Sequence, residues 1–434
     1  MSVRIPSRSR LLAGLAATCL GASGLAAVGV GPAYAVETCR GAAATVVGTP
    51  GVPLTATPGN DVVVTNGASV VSALGGDDLV CVTGGTPYVD TATGDDVVDT
   101  ISAGDAPASV FLGAGSDRFF GGEGADTVGT HGEGLVADVD ADTLLTGGGD
   151  DVVASGAPGQ PNADTVDLGP GNDRLALRGV TARTAGSISG GRNSDTLDLD
   201  LSGSASWWIH NGKGVANRNE KRQHNWVAFE QFDLVPTAGR FIFRGSPSNE
   251  RLRYTDASGG PVGSVLVTMD AGNDHVEAAP QAATDSRYDG GEGRDELEIS
   301  SPGERLTVDL GAGQVLRGGR KRGALVATAT GFTDATVWAR NATAKGDGQG
   351  NRLSVGGCTV RAYGLGRGDV LKRLDSPAYG CGKRSKMLGG PGRDKLVGGE
   401  GRDKLYGGPG RDKAVGGPGR DLCQAEKRKS CERR

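Results

Sequence analysis

Residues 389–421 read GGPGRDKLV, GGEGRDKLY, GGPGRDKAV and GGPGRD, a nine-residue unit repeated without a gap. Nine residues cannot close a core of their own, so each unit has to stack on its neighbours. Every unit has two glycines, a third glycine and an aspartate at its sixth position, and each complete unit then ends in a short apolar stretch. Glycine tolerates positive φ and leaves its carbonyl uncovered, which makes the first half of the unit a turn. The last three residues, such as Lys395-Leu396-Val397, suit a short strand with its apolar side chain inward. A glycine turn closed by an aspartate also offers hard oxygen donors. Ca²⁺ takes six to eight oxygens at roughly 2.3–2.6 Å, and here backbone carbonyls and one carboxylate lie side by side.

The pattern persists upstream in looser form. Glycine-rich turns precede Asp61, Asp78, Asp96, Asp117, Asp126, Asp151, Asp173, Asp195, Asp274 and Asp295. The steps from Asp61 to Asp195 are 17, 18, 21, 9, 25, 22 and 22 residues, mostly twice nine with small insertions. This spacing leaves one glycine–aspartate turn in each pair of units, with the opposite turn degenerate. Short β-rich runs follow the aspartates, as in Val62-Val63-Val64 and Leu175-Ala176-Leu177. Glycine totals 76 of 434 residues, well above the usual ~7%. Its placement before aspartates marks much of it as corner rather than linker.

The array resembles the G-G-x-G-x-D-x-U-x nonapeptide of the hemolysin-type (RTX) calcium-binding family. The stretch from Thr38-Cys39-Arg40-Gly41 to Pro58-Gly59-Asn60-Asp61 is also similar to the start of exported actinobacterial proteins of that type. The resemblance implies an all-β, right-handed parallel β-solenoid in which two nonapeptides make one coil and calcium stacks along one side. By it, the upstream spacing amounts to one calcium-type turn per coil. By it, Asp394 pairs with Asp412 and Asp403 with Asp421, and all of the aspartates above are candidate calcium ligands. The sequence departs from the family at the fifth position, which is Arg393, Arg402, Arg411 and Arg420. Arginine there weakens the negative field, so the alternative for this array is a solenoid held by Arg–Asp pairs with little or no calcium. The acidic upstream half is the better calcium candidate.

Residues 1–35 have the form of an export signal. Arg4, Arg8 and Arg10 precede an apolar stretch, and Ala33-Tyr34-Ala35 predicts cleavage after Ala35. Cys19 offers a lipoprotein alternative, but the usual leucine three residues before it is missing. No later stretch approaches the ~18 apolar residues of a membrane span, and an extracellular location is expected. Six cysteines remain after cleavage, an even number that implies disulfides outside the cell. Fifteen pairings exist in principle; proximity favours Cys39–Cys81, Cys358–Cys381 and Cys423–Cys431. The mature net charge is (46 − 3) − 51 = −8. It is unevenly spread, because residues 383–434 carry 15 Lys/Arg against 7 Asp/Glu. That basic end suits anionic or polysaccharide surface polymers; no nucleic-acid partner is expected.

Four segments follow: the signal 1–35, a degenerate solenoid 36–189, longer coils 190–382, and the tandem array with its tail 383–434. Within the third, Asp195 aligns with Asp295, Asp200 with Asp309, Phe229 with Phe332 and Asn249 with Asn351. Each copy predicts a coil interrupted by a hairpin-like excursion. Trp207, Trp208, Trp226, Phe229, Phe232, Phe241 and Phe243 crowd the first copy. Their spacing suits a local core, and a sugar-stacking platform is the competing reading. The polar run from Lys213 to His224 is expected to be a loop.

No catalytic motif is present: H-E-x-x-H is absent, the mature chain lacks G-x-S-x-G, and the four histidines (131, 210, 224, 275) sit in no nucleophile motif. Arg367-Gly368-Asp369 matches an adhesion tripeptide but sits in a glycine–aspartate turn, which explains it as part of the solenoid. The expected function is a secreted calcium-binding protein, structural or adhesive, whose folding is coupled to calcium. Alternatives are a carbohydrate or cell-wall binder, and a calcium-assisted polysaccharide lyase or hydrolase.

Overall fold

The computed structural model describes residues 37–130, 139–179, 188–254, 262–278, 283, 285–318, 323–375, 381 and 383–432. The expected export signal, with its cleavage site and Cys19, lies outside the described residues, as does His131. Residues 37–434 form one compact unit. Among the described residues there is no α-helix, only two single-turn 3₁₀ segments, Ile101–Ala103 and Asn211–Lys213. None is long and apolar enough to cross a membrane.

The unit is a parallel β-solenoid, as the nonapeptide resemblance implies. Most strands of the first half are three residues long, with the middle side chain buried: Val71, Val89, Val110, Val128. A strand this short buries one large apolar residue, roughly 1.5–3 kcal/mol, so stability comes from stacking coil on coil. The stacking is in register. One inward column runs Leu54, Val71, Val89, Val110, Val128, Val153, Leu175 and Leu197. It continues through Phe232, Leu252, Val276, Leu297, Ala335, Leu353, Leu371, Leu396 and Ala414. Facing it in the first half, a second parallel sheet stacks Val63, Val80, Val98, Phe119, Leu144 and Val166.

Glycine is needed where coils come closest. A Cβ on Gly410 would overlap the carbonyl oxygen of Gly392 on the preceding coil, and its φ of +153° is one that side chains avoid.

The two predicted excursions are present and share a topology. In the first, Trp207–His210, Val215–Arg218 and Lys221–Asn225 form an antiparallel meander. In the second, the end of strand Asp295–Asp309 pairs with Gln314–Arg317, and that strand pairs with Ala324–Thr330. The chain then returns to the solenoid at Gln231–Val235 and Phe332–Lys345. The run from Lys213 to His224 is therefore mostly strand, not loop. Its outward side chains are polar, and only Val215, Ala216 and His224 are buried, which hides the alternation expected of a strand.

Trp207, Trp226, Phe229, Phe232, Phe241 and Phe243 are buried, as a local core requires; Trp208 alone of the cluster is half-buried on the outside. All three disulfides form as proximity favours: Cys39–Cys81, Cys358–Cys381 and Cys423–Cys431.

Candidate metal-binding ladders

Each turn aspartate is buried at the corner between a glycine turn and its strand, and the corners stack. The backbone N–H of one aspartate donates to Oδ1 of the aspartate on the next coil. One ladder runs Asp61, Asp78, Asp96, Asp117, Asp142 and Asp164, with N···O distances of 2.7–3.2 Å. A second, on the other edge, runs Asp126, Asp151, Asp173 and Asp195 to Glu230. It resumes with Glu250, Asp274 and Asp295.

Near the C-terminus, Asn351, Asp369, Asp394 and Asp412 stack up to Glu426. Alongside, Ser385, Asp403 and Asp421 stack up to Glu432. The pairs Asp394/Asp412 and Asp403/Asp421 implied by the resemblance are thus neighbours, at 2.9 Å each.

The expectation of one such turn per coil fails between Asp117 and Asp173. There both edges carry aspartates: 117 with 126, 142 with 151 and 164 with 173. Asp142 and Asp164 were not among the predicted residues, because no glycine lies in the four residues before either. Each lies nine residues before a predicted aspartate, and that spacing is the signal that finds them. Glu230 and Glu250 escape a search for aspartate but hold ladder positions. Asp369 is a buried ladder member, so the Arg367-Gly368-Asp369 tripeptide is a solenoid turn.

The second carboxylate oxygen decides what the ladders can do. In Asp61 both oxygens are engaged: Thr57 donates its N–H and hydroxyl to Oδ2 and Thr45 its hydroxyl to Oδ1, which holds the carboxyl below its ordinary range. Asp126 is similarly satisfied by Ala108 N–H and the Thr100 hydroxyl. In Asp78, Asp173, Asp195, Asp274, Asp295, Asp369, Asp394, Asp403, Asp412 and Asp421, Oδ2 is buried with no hydrogen-bond donor. In Asp96 and Asp151 the Thr91 and Thr146 hydroxyls bond to the carboxyl and hold back part of the effect of burial.

Burial pushes these acids up, and among the described residues only at Asp403 does a nearby cation, Arg373, oppose it. Desolvation raises Asp78, Asp195 and Asp403 to about 6, and Asp96, Asp151, Asp173, Asp274 and Asp369 to about 7. Facing aspartates add to the rise, as Asp195 does for Asp173.

Carbonyl oxygens converge on the same spaces. A Cβ on Gly389 would collide with both Asp394 Oδ2 and the Gly407 carbonyl. One on Gly398 would meet Asp403 Oδ2 and the Gly416 carbonyl, and one on Gly364 would meet Asp369 Oδ2 and the Gly389 carbonyl. A buried anionic oxygen without a partner, beside uncovered carbonyls, fits a hard cation. Among the described residues no cluster of three or more His, Cys, Asp or Glu side chains could hold a metal. Calcium here would draw most of its ligands from the backbone, with the ladder aspartates supplying charge.

The arginines do not take that place. Arg393, Arg402, Arg411 and Arg420 are exposed, and no ion pair among the described residues joins them to a ladder aspartate. The picture of an array held by Arg–Asp pairs is therefore replaced by one of stacked backbone-to-carboxylate bonds. An exposed arginine keeps its hydration, which a buried pair would forfeit.

Comparison with known proteins agrees with this geometry. The family model for the RTX calcium-binding nonapeptide repeat (four copies) matches residues 93–128, 135–157 and 388–423. No curated protein matches the chain. The matched stretches fall on ladder turns at both ends of the molecule, including Asp96, Asp117, Asp126, Asp151 and the four aspartates of the C-terminal array. The chain thus carries RTX-type calcium-binding nonapeptide repeats on a parallel β-solenoid.

Proposed function

We propose that the protein is exported, with its leader cleaved after Ala35, and that Ca²⁺ outside the cell completes its folding. Its role is then structural or adhesive, at the cell surface or in the medium. The observation that carries this reading is the row of buried Oδ2 atoms without donors. Like charges stacked coil on coil repel one another until a cation or protons neutralise them. In a calcium-poor cytoplasm that repulsion would weaken the fold and favour export, and millimolar calcium outside would complete it. The last strand, Lys427–Lys429, is fully exposed and basic, which suits contact with anionic surface polymers.

We propose no enzymatic role. His224 is buried, lies stacked against Trp207, and is held down to about 4 by desolvation. His275 is raised to about 9 by Glu296 and Glu298, which makes it a structural cation.

Circular dichroism of the mature protein in EDTA and in millimolar Ca²⁺, with bound calcium measured by atomic emission, tests the coupling. The β signal should grow on calcium addition and several ions should stay bound. An unchanged spectrum with no bound ion would sink the proposal.

A further inference from the structure

We infer that the outer face of the first excursion is a binding cleft for a neutral saccharide chain. In strand Trp207–His210 the side chains alternate: Trp207 and Ile209 are buried, while Trp208 and His210 are half-buried on the outside. Trp208 pairs across the meander with Asn217 and, on the next coil, with Ile242; Ile242 pairs in turn with Leu266. These half-buried residues make an outward row along the solenoid axis, with the indole as its one large aromatic plate. The edge-on ring of His210, with centroids 5.8 Å apart and planes at 81°, holds that indole in place.

Trp208, Asn217, Asn219, Glu220, Arg240 and Ile242 line a cleft of about 670 Å³. That is within the ~300–1,000 Å³ range of small-molecule sites. The polar groups are planar and diverse. Asn219 uses its oxygen to accept the Ser206 N–H at 2.9 Å, which leaves its amide NH₂ to donate. Glu220 supplies acceptors and Arg240 a fork of donors. This is the chemistry that holds a pyranose: the C–H face packs on the indole, and hydroxyls in the ring plane meet amide, carboxylate and guanidinium.

The occupant follows from charge and size. One carboxylate and one guanidinium cancel, so the cleft has no surplus of cations to draw an anionic polymer. Eight residues line it, against ~20–30 a side in a stable protein interface. A neutral sugar chain lying along the row fits both facts. The inference is independent of calcium, since none of the lining residues belongs to a ladder.

The test is calorimetric titration of the full mature protein in saturating Ca²⁺. The probes are cellohexaose, chitohexaose, laminarihexaose and xylohexaose, with hexagalacturonate as the anionic comparison. At least one neutral hexamer should bind. Trp208→Ala should weaken it about tenfold or more and Asn217→Ala should weaken it less, while Trp208→Phe keeps most of the affinity. Circular dichroism and bound calcium should match wild type in all three variants. If Trp208→Ala misfolds, the surface change Asn217→Ala carries the test alone. The proposal fails if no neutral hexamer binds at millimolar concentration, if only hexagalacturonate binds, or if the variants bind as wild type does.

Discussion

A ladder aspartate divides its carboxylate between two tasks, and Asp173 shows how to separate them. Its Oδ1 accepts the Asp151 N–H at 2.7 Å, while its Oδ2 is buried without a donor. An asparagine at this position would keep an acceptor for that N–H and remove the buried charge. In EDTA, Asp173→Asn should therefore melt higher than wild type, and in calcium it should gain less. Asp173→Ala leaves the Asp151 N–H buried and unsatisfied, a cost of about 1–3 kcal/mol with or without calcium. Thermal melts of the three proteins in EDTA and in calcium make the comparison; equal melting temperatures for the two variants in EDTA would show that the ladder bond contributes nothing. Glycine positions separate in the same way. Gly410→Ala forces a Cβ into the Gly392 carbonyl and should cost about 1–3 kcal/mol or more. Gly104 also has positive φ, at +68°, but nothing lies within 4 Å of a Cβ there. Gly104→Ala should cost only the backbone term for its φ of +68° and ψ of −121°, about 1–3 kcal/mol with no steric overlap added.

At the scale of the turn-and-strand element, the ladders set how stability responds to pH. Asp173, Asp274 and Asp369 are pushed to about 7 in the folded chain by burial and by facing carboxylates. Unfolded, they return to the ordinary value near ~3.9. The calcium-free folded state thus holds protons more tightly than the unfolded one. That stability is fully present below the unfolded value and is lost as pH rises through about 7. In EDTA the melting temperature should rise as pH is lowered from about 8 to about 5, against the usual trend of acid denaturation. Saturating calcium should flatten the rise, because the ion replaces the protons. A melting temperature in EDTA that falls over that range would contradict the buried-charge account. Much of this element is legible in the sequence: Gly389 and Asp394 announce the turn, and Leu396 its inward strand. The edge on which a ladder runs is not legible, because insertions between Asp117 and Asp151 change coil length without changing the local motif. Nor is Glu230, whose longer side chain accepts the Asp195 N–H, or Glu250, whose backbone N–H donates to Asp274 while its carboxylate accepts from Ser246 and Asn211.

Across the whole molecule, the inward column from Leu54 to Ala414 makes every coil depend on its two neighbours and on little else. Stability in such a stack is a sum of coil and interface terms, so its ends are the weak points. The tail closes the C-terminal end with two devices. Glu426 and Glu432 offer carboxylates to the Asp412 and Asp421 N–H groups at 2.6 and 2.7 Å, ending both ladders with an acceptor in place. The Cys423–Cys431 disulfide holds the segment that carries them, with Cys423 fully buried against the last coil. Opening that disulfide releases both caps together and leaves two buried N–H groups without partners. Hydrogen–deuterium exchange of Cys423→Ser/Cys431→Ser should therefore show faster uptake over residues 388–432. The increase should fade coil by coil toward Arg352 and vanish over residues 61–175, because contacts join a coil only to those next to it or a coil further on. Equal acceleration along the whole chain would mean that the solenoid unfolds as one cooperative body, and that its stability is not the nearest-neighbour sum its geometry implies.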